Sequence, residues 1–141
     1  MYLIDTNVIS ELRKKEKAHP GVIAFFLKAA SQNESLYLSV VTVGELRRGV
    51  ELIQRRGDTP QAALLEAWLQ ATLEDFADRV LSFDTDAAQV WGRLRVPDPT
   101  HELDKQIAAT ALVNDLTVVT RNTADLASTG VRLMNPFLRA Q

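Results

Sequence analysis

The sequence predicts an α/β fold built on a mostly parallel sheet of four to five strands. Three observations carry that expectation. Short apolar runs with β-favouring residues alternate with longer segments whose apolar residues recur at helical spacing. The first run, Tyr2-Leu3-Ile4, stops abruptly on Asp5-Thr6-Asn7, as a buried strand does when it turns into a helix. The chain's 141 residues, 46% hydrophobic and 24% charged, suit a single soluble domain over 1–141 with a real core.

After Asp5, the residues Val8, Ile9 and Leu12 start a helix. Asp5 itself reads two ways. It is a favoured helix-capping residue, and it stands at the carboxyl end of a strand, where ligands of parallel sheets bind. Arg13-Lys14-Lys15-Glu16-Lys17 reads as a solvated helix end, and His19-Pro20-Gly21 breaks the chain before a second helix carrying Val22, Ile23, Phe26, Leu27 and Ala30. Leu36 to Val41 is the second strand. Thr42-Val43-Gly44-Glu45 matches a capping box opening the next helix, which is the structural reading of Glu45. Its functional reading is a second carboxylate on the edge that Asp5 occupies. A loop at Gly57 to Pro60 precedes an apolar helical stripe from Leu64 to Val80, which reads as core or as a surface for a partner helix.

Val80 to Phe83 is the third strand, with Asp84 and Asp86 read as caps of the helix that holds Ala87, Val90, Trp91 and Leu94. Leu103 to Asp115 is the clearest helix. Its face of Ile107, Ala108, Ala111 and Leu112 is small enough to lie close to a sheet, and Asp104 falls in its first turn. Leu116 to Thr120 is the fourth strand, Arg121 to Asp125 a turn, and Val131 to Met134 an edge strand.

Composition narrows the function. No apolar run approaches the roughly 20 residues of a membrane span, and the N-terminus lacks a basic leader, so a cytoplasmic protein is expected. There is no cysteine, which removes disulfides, thiolate nucleophiles and cysteine-based zinc sites. A net charge of −2 means that a polyanionic partner would need local basic patches or bound metal. The sequence has no GxxxxGK[ST], GxGxxG or GxSxG motif, and His101-Glu102 does not extend to HExxH. His19 and His101 read as loop residues.

In a parallel sheet, helix starts and strand ends share one edge, and Asp5, Glu45, Asp104, Asn122 and Asp125 all fall on it. Two bare carboxylates about 4 Å apart repel by roughly 4 kcal/mol at an effective dielectric near 20. Such a cluster is tolerable around a divalent cation, and oxygen ligands suit Mg²⁺ or Mn²⁺, ions that hold phosphates and activate water. Arg47, Arg48, Lys105 and Arg121 are candidates for phosphate contacts. Two other classes compete: a non-catalytic module whose acidic cleft docks a basic protein segment, and a receiver-like or phosphatase-like pocket.

LIDTNVISEL, VVTVGELRRGV and DKQIAATALVNDLTVVTRNTADL through MNPF resemble, as an ordered set covering nearly the whole chain, the PIN-domain ribonucleases, and more narrowly the FitB-like branch of the VapC toxins. The resemblance implies a three-layer α/β/α sandwich and a Mg²⁺- or Mn²⁺-dependent endoribonuclease. Its substrate would be structured RNA such as tRNA or rRNA, cut by metal-activated water. Residue by residue, Asp5, Glu45 and Asp104 would be the metal-holding triad. Asn122 would take the fourth position, with Asp125 as an additional acid and Thr6 and Thr120 as small polar neighbours. The family also implies a VapB/FitA-like antitoxin that occludes the cleft, commonly a homodimer, and a toxin–antitoxin assembly on promoter DNA through the antitoxin.

Overall fold

In the computed structural model, which describes residues 1–138, five strands form one fully parallel sheet in the order β3-β2-β1-β4-β5. The strands are β1 (Tyr2–Ile4), β2 (Leu36–Ser39), β3 (Val80–Leu81), β4 (Thr117–Val119) and β5 (Leu133–Met134). The expected fold class is correct, including the edge strand. β1 is central, pairing Leu3 with Tyr37 on one side and with Val118 on the other. Its side chains alternate between two cores. Ile4 packs with Val8, Val22, Phe25, Leu38, Leu46, Leu69 and Val119 on one face. Leu3 packs with Ile107, Ala108, Ala111, Val118 and Leu126 on the other. Each strand is sandwiched, which is why it reads as an unbroken apolar run.

Seven α-helices cover the sheet: α1 (Thr6–Ile9), α2 (Pro20–Ser31), α3 (Val40–Arg55), α4 (Thr59–Asp75), α5 (Thr85–Leu94), α6 (Glu102–Val113) and α7 (Thr123–Leu126). The first four line the Ile4 face and α6 and α7 the Leu3 face. The strands are shorter than the sequence suggests. The helix after β2 begins at Val40, because the Ser39 hydroxyl accepts from the Val41 N–H and caps it there. Thr42 therefore lies inside α3, and the expected capping box with Glu45 does not form. Glu45 instead sits in the second turn of the helix. Asp84 does cap α5, accepting from the Ala87 N–H at 2.9 Å, while Asp86 lies in the first turn. On α6, Leu112 is at the exposed border, and Ala109 and Thr110 are buried in its place.

Between α1 and α2 the chain runs as a 3₁₀ segment over Ser10–Lys17, broken at Lys15 with φ 56°. The basic run is exposed there, as expected. His19 then caps α2 through Nδ1, which accepts from the Gly21 N–H at 3.0 Å. Gly21 is required at this point for space: a Cβ would run into the Pro136 carbonyl oxygen, where the C-terminal segment crosses α2. Gly21→Ala is expected to cost about 2 kcal/mol, the range for forcing extra atoms into a packed contact. Urea denaturation would read this as a lower midpoint at unchanged slope.

Candidate active site

Asp5 closes β1 and opens α1. Its N–H donates to the Val119 carbonyl at 2.9 Å, so the β1–β4 pairing delivers it to the carboxyl edge of the sheet. One carboxylate oxygen caps α1, accepting from the Thr6 N–H at 2.8 Å. The other accepts from the Thr120 hydroxyl at 2.7 Å and from the Asn7 amide at 3.4 Å. The cap reading is thus right, and it uses only one of the two oxygens. Asp5 is 2% exposed, and burial raises its pKa above the ordinary 3.8 against the pull of Thr120, Thr6 and Asn7.

Thr6 ties the second carboxylate to the first. Its hydroxyl donates to Glu45 Oε1 at 2.5 Å and lies 3.1 Å from the hydroxyl of Thr42, which is one helical turn before Glu45 on α3 and fully buried. Thr120 plays the same part across the sheet. It donates to Asp5 and accepts from the Asn122 N–H at 2.9 Å. Asn7 spans the two strand ends, its Oδ1 accepting from the Arg121 N–H at 3.0 Å. Asn122 takes the position before α7 without a side-chain capping bond.

Asp104 arrives from a different direction. α6 follows α5 through residues 95–101 rather than following a strand. The Asp104 pKa is raised by burial first, then by the charges of Asp5, Glu45 and Asp125, with His101 pulling the other way. Four carboxylates therefore converge on one rim. They are not equally close. Among the described residues, the group whose ligand atoms all lie within 4.8 Å of one another is His101, Asp104 and Asp125. Asp5 and Glu45 stand behind it, linked through Thr6.

Two of the four basic candidates are not free to meet a phosphate. Lys105 is 2% exposed, and its ammonium turns back to donate to the Asp98 carbonyl, holding the loop before α6. Arg47 is committed to Glu66 on α4 by two bonds of 2.6 and 2.9 Å, which keep the Glu66 carboxyl down at about 2. Arg48 and Arg121 are exposed, Arg121 with its guanidinium stacked 3.9 Å from the Phe137 ring centre.

The sequence reading missed Asn7, Thr42 and His101. Asn7 and Thr42 had a signal in spacing, since each lies within one helical turn of a candidate acid. His101 had none, because only a left-handed backbone (φ 57°, ψ 47°) turns a loop residue toward Asp104 and Asp125.

The donor set fits a divalent cation. All the converging acids offer oxygen, and among the described residues no lysine or arginine lies within ion-pair distance of Asp5, Glu45 or Asp104. Burial and like charge both disfavour leaving them ionised without a counter-charge.

Fold and rim together define an α/β/α protein with an acidic edge whose oxygen donors fit a cation. Residues 2–130 match the PIN domain, and the chain belongs to that family. It is 38% identical to plasmid stability protein StbB of Pseudomonas syringae pv. tomato, over 97% of this chain and 99% of that one. It is 37% identical to toxin FitB of Neisseria gonorrhoeae, again over 97% and 99%. It is 35% identical to VapC ribonuclease Y4jK of Sinorhizobium fredii, over 97% and 98%. Among solved structures it is similar to FitAcB from Neisseria gonorrhoeae, with a TM-score of 0.84 at 36% identity over 97% of this chain and 99% of that chain. It is also similar to DNA-bound VapBC from Salmonella typhimurium, with a TM-score of 0.69 at 26% identity over 96% and 97%.

The raised Asp104 pKa has a consequence for stability. An acid whose folded-state pKa is raised stabilises the fold when protonated. That contribution is complete below 3.8 and is lost as pH rises through the folded-state value. In chelator, Asp104→Asn is expected to raise the melting temperature at pH 7, with the gain shrinking toward pH 4. Mg²⁺ is expected to stabilise the parent protein and not the variant. Calorimetric melting across pH checks both.

Proposed function

We propose that this chain is the toxin of a type II toxin–antitoxin pair, a metal-dependent endoribonuclease that hydrolyses RNA phosphodiester bonds. The observation that carries this reading is the rim itself: burial and then the charges of Asp5 at the end of β1, Glu45 on α3 and Asp125 on α7 raise the Asp104 pKa, and among the described residues no lysine or arginine lies within ion-pair distance of Asp5, Glu45 or Asp104. Full-length similarity to a protein named VapC ribonuclease supports the substrate class, and similarity to toxin FitB supports the biological role.

Asp5 and Asp104 would hold the ion, Glu45 would complete the set, and Asp125 would be the additional acid. Mg²⁺ or Mn²⁺ suits these donors and supplies Lewis acidity to a phosphodiester and acidity to a water. The protein's own part is positioning. Thr120 and Asn7 fix Asp5, and Thr6 fixes Glu45 through Oε1. Glu45 Oε2 takes no hydrogen bond among the described residues and is left to accept a proton from the attacking water. Asn122, held at the rim by its N–H bond to Thr120, adds a neutral polar group where a fifth carboxylate would add repulsion.

The RNA is a structured one, tRNA or rRNA, contacted by Arg48 and Arg121. The antitoxin is VapB/FitA-like, and it recruits the toxin, as a homodimer, to promoter DNA. An apolar groove of about 360 Å³, floored by Leu46, Val50 and Trp68, opens beside Thr6 and Glu45 and would receive the antitoxin segment that blocks the rim.

RNA cleavage by the purified protein is expected to stop in chelator and to return with Mg²⁺ or Mn²⁺. Asp5→Asn and Asp104→Asn should each slow it by about a hundredfold or more; undiminished cleavage by either variant would remove the mechanism. Binding of the RNA to Asp104→Asn protein at several salt concentrations tests the basic residues. Arg48→Gln and Arg121→Gln should each lower the salt slope by roughly one contact, and Arg47→Gln should leave it unchanged.

A further inference from the structure

We propose that His101 is a nitrogen ligand of the ion at this rim, acting with Asp104 and Asp125, and that it shifts the metal preference of this chain away from Mg²⁺ toward Zn²⁺ and similar nitrogen-seeking ions. The inference rests on the metal-dependent reading above and concerns which ion the rim selects.

The geometry points to it in three ways. Both ring nitrogens face carboxylates: Nδ1 lies 3.9 Å from Asp104 Oδ2, and Nε2 lies 3.9 Å from Asp125 Oδ1. Those separations are too long for hydrogen bonds. One ion would take one of the two nitrogens, and with one ligand atom from each of His101, Asp104 and Asp125 all three lie within 4.8 Å of one another, close enough for small side-chain turns to bring them onto bonds of about 2.1 Å. The three residues also come from two separate elements and the loop before α6, and they form the tightest set of metal-ligating groups among the described residues. Asp104 belongs to both halves of the rim, with Asp5 and Glu45 behind it and the imidazole in front.

The donor type then decides selectivity. Carboxylate and water oxygens suit Mg²⁺ and Mn²⁺, whereas imidazole favours Zn²⁺ and the later transition metals. A rim of oxygens alone already follows the general rise in affinity toward the later metals, and one nitrogen widens that preference. His101 is the residue before α6 and has a left-handed backbone, which asparagine also tolerates, so His101→Asn removes the imidazole without straining the loop.

The chain has two histidines, which supplies an internal control. His19 caps α2 and packs 5.1 Å from the Phe137 ring, away from the rim carboxylates. The test is ¹⁵N NMR of the full chain labelled at histidine, titrated with Zn²⁺ alone, with calorimetry alongside. One ring nitrogen of His101 is expected to move to the position of a zinc-bound imidazole while both nitrogens of His19 stay. His101→Asn should weaken Zn²⁺ by at least about tenfold, the lower bound for losing even an indirect support of a ligand, and should leave Mg²⁺ affinity within about twofold. Unmoved His101 nitrogens while calorimetry shows Zn²⁺ bound would overturn the proposal and leave the ion to the carboxylates. Equal weakening of Zn²⁺ and Mg²⁺ by His101→Asn would overturn it as well. The nuclease reading fails separately, on RNA cleavage: a protein that binds Zn²⁺ through His101 and cuts no RNA with any metal keeps this site and loses that function.

Discussion

Like charges crowded onto one rim set the terms for the rest of this molecule. Folding brings Asp5, Glu45, Asp104 and Asp125 within electrostatic reach of one another, and it buries Asp5 almost completely. Each step is unfavourable for ionised carboxylates. The fold withstands it because the sheet and helices that carry the acids are secured elsewhere, by two apolar cores on opposite faces of β1. The cores supply the stability, and the rim draws on it to keep a strained arrangement in place.

Hydroxyl groups do the fixing at close range. Thr6, Thr42 and Thr120 are β-branched and have few rotamers, so a hydrogen bond from one of them sets an acid's direction without another charge. Thr120 is 0% exposed and joins the end of β4 to the end of β1; Thr6 joins α1 to α3. A lysine or arginine could have held the same acids only by neutralising them, which a hydroxyl does not do. The basic residues nearest the rim in sequence are used as scaffold instead. Lys105 anchors the loop before α6, and Arg47 clamps α3 to α4. Neighbouring residues on a helix face different ways, and Asp104 and Lys105 divide accordingly: one goes to the rim, the other to the loop.

The fold was open to a reading of the residues for physical reasons, and the function class came from the family resemblance of the motifs rather than from periodicity or position. Parallel strands covered on both faces must be continuously apolar, so β1, β2 and β4 stood out in the sequence despite their short length. The Asp5, Glu45 and Asp104 segments were legible as acids following apolar runs or opening a helix. Element ends were less legible. Ser39 rather than Thr42 caps α3: both hydroxyls are good caps, and in the fold Thr42 is fully buried and hydrogen-bonded to Thr6 instead. That choice moved Glu45 from a capping role into the second turn.

The order of residues by itself determined that an α/β sheet would form, which runs would be its strands, and that Asp5 would stand at its carboxyl edge, since these follow from periodicity; Asp104, whose helix follows another helix, reaches that edge through the tertiary fold. Only the tertiary structure decided which polar groups meet there. Pairings such as Thr120 with Asp5 and Thr6 with Glu45 join residues far apart in the chain, and the withdrawal of Lys105 and Arg47 depends on partners that local pattern does not specify. His101 shows this most plainly: its ring lies against Asp104 and Asp125 because one left-handed residue redirects the chain, a backbone choice made by the surrounding packing.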